Sequence, residues 1–148
     1  MALYFLDPSA MIQLYLDEPG SGQMVFLASP ASGHQICASS LARLQLNSAI
    51  RTKLSRNEIK PEDAEQATRI LEQHWPTLFL QQQVSDAVLD HANLLIQKHS
   101  CGSTEAIQLA SCLAIARNNP VTFVTSNSNL AIAAVAEGLI VFDPNEAD

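Results

Sequence analysis

The chain has 148 residues, 47% hydrophobic and 16% charged, with five Gly and seven Pro. Its size and apolar content read as a single domain over residues 1–148, and they exclude a disordered chain. Eight Lys+Arg against 15 Asp+Glu give a net charge of −7, which excludes a whole-surface basic field for nucleic acid or anionic lipid and leaves a local basic cluster or an acid-held metal ion as the means of meeting phosphates.

The first elements are short. Leu3–Leu6 is an apolar strand closed by Asp7-Pro8-Ser9, and Met11, Ile12, Leu14 and Tyr15 then begin a helical pattern. Pro19-Gly20-Ser21-Gly22 breaks the chain before a short helix at Met24–Ala28, and His34–Ala38 reads as a half-buried strand. Ser39 or Ser40 is suited to cap a long helix through Leu54. The next helix runs from Pro61 to His74, with Ala64, Ala67, Ile70 and Leu71 on one face.

The second half repeats the alternation. Leu78–Val84 reads as a strand, Asp86–His99 as an amphipathic helix, and Ser103 or Thr104 to about Asn118 as another. Val121–Thr125 is a β-branched and aromatic strand, Asn127–Glu137 an Ala-rich helix stopped by Gly138, and Leu139–Phe142 the last strand. Strands alternating with helices at this spacing predict an α/β fold, a parallel sheet between helical layers. Ligands of such sheets sit at the carboxyl ends of the strands, so the residues just after each strand are the place to look for chemistry.

Three of those residues have two readings. Asp7 follows the first strand, yet Asp-Pro-Ser-Ala is also a good helix cap with proline at the first helical position. Glu105 in a first turn is favoured by the helix dipole, and Asn127 suits a turn or cap.

Their order along the chain resembles a known family. The opening Leu-Tyr-Phe-Leu-Asp7-Pro-Ser-Ala, the segments Ser40-Leu-Ala-Arg-Leu-Gln-Leu-Asn-Ser-Ala-Ile-Arg51 and Ser103-Thr-Glu-Ala-Ile-Gln-Leu-Ala-Ser111, and the tail from Phe123 to Pro144 are similar to PIN-domain proteins of the VapC toxin type. The resemblance implies a three-layer α/β/α fold with a parallel, roughly five-stranded sheet, commonly a homodimer, and Mg²⁺- or Mn²⁺-dependent cleavage of RNA. It also implies an antitoxin-like protein partner. The acids of such a site fall, position by position, on Asp7, Gln45, Glu105 and Asn127, so one is kept, one is lengthened and two are replaced by amides. Asp7 and Glu105 are then the candidate metal ligands. A phosphodiester centre uses a divalent ion to offset charge on the phosphate, and amides bring oxygens without charge. The resemblance therefore implies a degenerate ribonuclease centre with weak or absent activity; the alternatives are a working endoribonuclease on Asp7 and Glu105, or a non-catalytic interaction module.

Arg43, Arg51, Lys53 and Arg56 gather half of the basic residues within one helix and its exit, a candidate strip for phosphate or an acidic partner. Three cysteines without a CxxC pair argue against a disulfide framework. The start lacks a basic n-region, and no apolar run nears the roughly 18 residues of a membrane span, so a cytoplasmic protein is expected. Histidines at metal-ligand spacing, nucleophile elbows and phosphate loops are missing from the sequence.

Overall fold

A computed structural model of the chain describes residues 2–146; Met1 and residues 147–148, the ends of the expected 1–148 span, lie outside the described residues. Five parallel strands form one sheet in the order β3-β2-β1-β4-β5. They are β1 (Leu3–Leu6), β2 (Gln35–Ser39), β3 (Phe79–Gln82), β4 (Val121–Val124) and β5 (Ile140–Phe142). Phe5 pairs with Cys37 on one side and Phe123 on the other, fixing the register at the centre.

Strand side chains alternate between faces, so each face builds its own core. Leu6, Ile36, Ala38 and Val124 pack under α1 (Pro8–Met11), α2 (Ser21–Ala28), α3 (Ala42–Ser55) and α4 (Pro61–Leu78). Phe5, Cys37 and Phe123 pack under α5 (Asp86–His99), α6 (Ser103–Ala116) and α7 (Ser128–Ala136). The result is the expected three-layer α/β/α arrangement. Among the described residues no helix is long and apolar enough to cross a membrane.

Two expectations are corrected. No serine caps α3: its N-cap is Leu41, while Ser40 Oγ accepts from the Val84 N–H at 3.1 Å and so ties β2 to the exit of β3. The helix expected to end at His74 continues to Leu78 with Pro76 inside it. Proline ordinarily breaks an interior turn; here Trp75, buried and 5.5 Å from the Phe79 ring, anchors the last turn against the core. The strand that follows is correspondingly shorter than the span Leu78–Val84.

Candidate functional site

The chain order reverses between β1 and β4, and the cleft lies at the carboxyl ends of those strands, as open α/β sheets require. It encloses about 490 Å³ and is lined by Asp7, Gln45, Glu105 and Asn127 together with Leu44 and Gln108, among others. The sequence-predicted positions, scattered over some 120 residues of chain, therefore meet in one cavity. Glu105 and Asn127 also line a smaller neighbouring hollow of about 300 Å³.

Asp7 is both a cap and a cleft residue. Its Oδ2 accepts the Ser9 N–H at 3.3 Å, as the N-cap of α1, and the Thr125 hydroxyl at 2.8 Å, with a further hydrogen bond from Ser9 Oγ. The Asp7 N–H donates to Val124 O at 3.0 Å, and Ser126 N–H donates to Ser9 Oγ at 3.0 Å. These bonds lock the end of β1 to the end of β4. Only 6% of Asp7 is exposed. Burial pushes its carboxyl above the ordinary 3.8, the bonds from Ser9 and Thr125 oppose that, and the charge of Glu105 adds to the rise.

The other three positions hold their oxygens less freely. Glu105, in the first turn of α6, accepts the Thr104 hydroxyl on Oε2 at 3.1 Å and folds back over Gly102. A Cβ at position 102 would lie 2.5 Å from Oε2, so a side chain there would move the end of the flexible Glu105 side chain aside. Asn127 is the N-cap of α7, its Oδ1 accepting the Leu130 N–H at 3.1 Å. Gln45 Oε1 accepts from Gln108 Nε2, which also donates to Ser39 Oγ at 3.1 Å.

The fold relatives suggested by the sequence imply a divalent cation here, and the donor set does not fit one well. Mg²⁺ asks for about six oxygens in near-octahedral array, several of them charged or water. Among the described residues no three His, Cys, Asp or Glu side chains come together to hold a metal. Two of the four positions are amides, and the carbonyl oxygens of both are already engaged. Among the described residues, Asp7 and Glu105 supply the only carboxylates lining the cleft.

None of the four basic residues lines the cleft. Arg43 forms a two-pronged pair with Glu72 of α4, its Nε donating to Oε1 at 3.0 Å. Lys53 Nζ lies 3.1 Å from Glu18 and 3.8 Å from Glu58. Arg51 and Arg56 are exposed and lack such pairs among the described residues. Ser9, Thr125 and Gln108 were not singled out by sequence reasoning. A usable signal existed for Gln108: a glutamine three residues after Glu105 stands on the same face of an otherwise apolar helix.

Comparison with solved structures decides the fold. VapBC2 from Rickettsia felis, bound to a DNA fragment from its promoter, matches with a TM-score of 0.62 at 18% identity, covering 95% of this chain and 98% of that one. FitAcB from Neisseria gonorrhoeae matches with a TM-score of 0.69 at 14% identity, covering 97% and 99%. The chain has a VapC-like PIN fold. DNA-bound VapBC from Salmonella typhimurium agrees, with a TM-score of 0.63 at 15% identity and 97% and 99% coverage. No family model and no curated protein matches the chain. In this chain the cleft lies at the carboxyl ends of β1 and β4, and its four predicted positions carry two carboxylates and two amides.

Proposed function

We propose that this chain is a VapC-like PIN protein whose ribonuclease centre is degenerate, so that it meets RNA at the cleft and cleaves it slowly or not at all. The observation that carries the reading is the state of the four cleft positions: two carboxylates, Asp7 and Glu105, and two uncharged amides whose oxygens each already accept a hydrogen bond, from Gln108 and from the first turn of α7. Divalent ions are the family's usual means of offsetting phosphate charge and activating water. Here Asp7 and Glu105 are the residues left to meet Mg²⁺ or Mn²⁺, and such a site depends on substrate phosphates for further ligands. What the chain itself does is hold Asp7 rigidly through Ser9 and Thr125, present Glu105 from the start of α6, and close the sides of the cleft with Leu44 and Gln108.

Two of the solved neighbours are VapBC assemblies, both bound to DNA. By analogy an antitoxin-like protein is the expected partner, and a cytoplasmic homodimer the expected state. Arg43 and Lys53 are paired within the chain, which leaves Arg51 and Arg56 as the more available of the four basic residues for a phosphate or an acidic partner.

Restoration tests the reading. Building Gln45→Glu, Glu105→Asp and Asn127→Asp together is expected to raise metal-dependent RNA cleavage on the order of 10²-fold or more, since a ~1 Å misplacement alone can cost that much. If the unsubstituted chain already cleaves as fast as the restored one, and Asp7→Ala abolishes that activity, the centre is a working one. An unsubstituted chain that neither binds nor cleaves RNA, with or without Mn²⁺, is an interaction module.

A further inference from the structure

The larger cleft and the smaller hollow of about 300 Å³ share Glu105 and Asn127 as a common wall. The Glu105 carboxylate leans to the smaller side. It lies over Gly102, where an added Cβ would stand 2.5 Å from Oε2 and 3.8 Å from Oε1, and Gly102 lines only the smaller hollow. Burial pushes the Cys101 thiol above its ordinary 9.0, the charge of Glu105 adds to the rise, and Cys101 also lines only that hollow. Thr104 donates to Oε2 at 3.1 Å, and Oε1 accepts no hydrogen bond among the described residues. Asn127 adds an amide of fixed orientation: its Oδ1 accepts the Leu130 N–H at 3.1 Å, so its NH₂ group is the end left for a ligand.

The rest of the wall is apolar, with Leu130, Ile132 and Ala133. Among the described residues no Lys or Arg lines the hollow, and His99 has its Nε2 on Glu137 at 2.6 Å. A phosphate therefore meets no counter-charge there, whereas a neutral ring with donors on its edge needs none. Apolar walls with a few placed polar groups make a small-ligand pocket, and single-stranded RNA is read by bases splayed out and hydrogen-bonded on their Watson–Crick edges. Of the four bases guanine alone sets an acceptor, O6, beside two donors, N1–H and N2–H₂. Adenine and cytosine turn a ring lone pair toward a carboxylate, and uracil offers it one N–H.

We propose that the smaller hollow is a base subsite that selects guanine in single-stranded RNA, with Glu105 accepting from N1–H and N2–H₂ and Asn127 donating to O6. The proposal rests on RNA meeting the cleft, and it adds which base lies beside the centre. A carboxylate engaged by a base is withdrawn from an ion, which accords with slow or absent cleavage.

The test is fluorescence anisotropy of the full chain with short labelled oligouridine strands carrying G, A, C, U or inosine at the central position. The guanine strand is expected to bind about tenfold more tightly than the adenine strand, the scale of one two-pronged base contact. Inosine lacks the N2 amino group and should lose most of that gain, a comparison that needs no variant to fold. Glu105→Gln should bring the guanine-to-adenine ratio within about twofold; loss of a charge strengthens all strands alike, so the ratio is what is read. A preference that survives Glu105→Gln, or that inosine retains in full, overturns the proposal. Methyl NMR locates the base: exchanging guanine for adenine should move the Ile132 signals and leave in place those of Leu44, which lines only the larger cleft. The reverse pattern overturns the subsite too. Equal binding of all strands removes the subsite and leaves the RNA reading standing, whereas no binding of any strand removes both.

Discussion

Asp7 is held in a place that costs stability. Its folded-state carboxyl titrates above the unfolded value of 3.8, chiefly because it is buried. The folded chain therefore keeps its proton at a pH where the unfolded chain has lost it, and stability falls as pH rises from 3.8 through the folded value. Asp7→Asn removes that penalty while keeping an acceptor for Ser9 and Thr125. Its melting temperature is expected to exceed that of the unsubstituted protein at pH 7, with the difference shrinking on acidification toward pH 4; equal melting at pH 7 would contradict this. Gln108 has the opposite ledger. Its two hydrogen bonds, each worth roughly 0.5–1.5 kcal/mol, are set against a buried orphan oxygen that costs about 1–3 kcal/mol, so Gln108→Met should melt within a few degrees of the unsubstituted chain. That amides stand at 45 and 127, where the resemblance puts acids, is legible in the sequence. Which oxygen each amide spends, and on what, depends on partners up to 63 residues away.

At the scale of elements, α5 and α7 are tied together at their ends. Glu137 ends α7, and its Oε2 lies 2.8 Å from Lys98 Nζ and 2.6 Å from His99 Nε2 at the end of α5. Lys98 and then His99 hold the Glu137 carboxyl below its ordinary 4.5. A depressed carboxyl contributes stability above its unfolded value and loses it as pH falls through the folded one. Glu137→Gln is therefore expected to melt lower at pH 7 and to lose less on acidification below about pH 5, which thermal melts across that range measure. Gly138, at φ 90°, is the left-handed stop expected after α7. α4 outruns the span expected to end at His74, because propensity is local and Trp75 is held by distant packing. The missing serine cap of α3 has the same origin: Ser39 and Ser40 are spent on Gln108 and Val84, which only the sheet brings near.

At the scale of the molecule, the cleft exists because β1 and β4 lie side by side. Phe5 and Phe123, fully buried and 5.8 Å apart, stack across that junction. Truncation of such a side chain leaves a cavity and costs about 3–5 kcal/mol. Phe123→Ala is thus expected to lower the melting temperature by roughly 10 °C and to loosen the Asp7–Thr125 contact built on the same two strands, seen as faster exchange of the Asp7 amide. A variant that melts unchanged would show that the β1–β4 junction does not depend on this pair.

The alternation of apolar strands and amphipathic helices, the acids and amides at the strand ends, and the order that resembles a PIN domain are all properties of the linear chain. Periodicity and residue type record which face is buried, so the layered fold could be read from them, while the four cleft positions followed from the resemblance. The strand order, the capture of Gln45 by Gln108, the burial that raises Asp7 and the pairing of Arg43 and Lys53 are decided by contacts between residues far apart in sequence. Their energies depend on distance and exclusion of water, and those two quantities come into being only when the chain has folded.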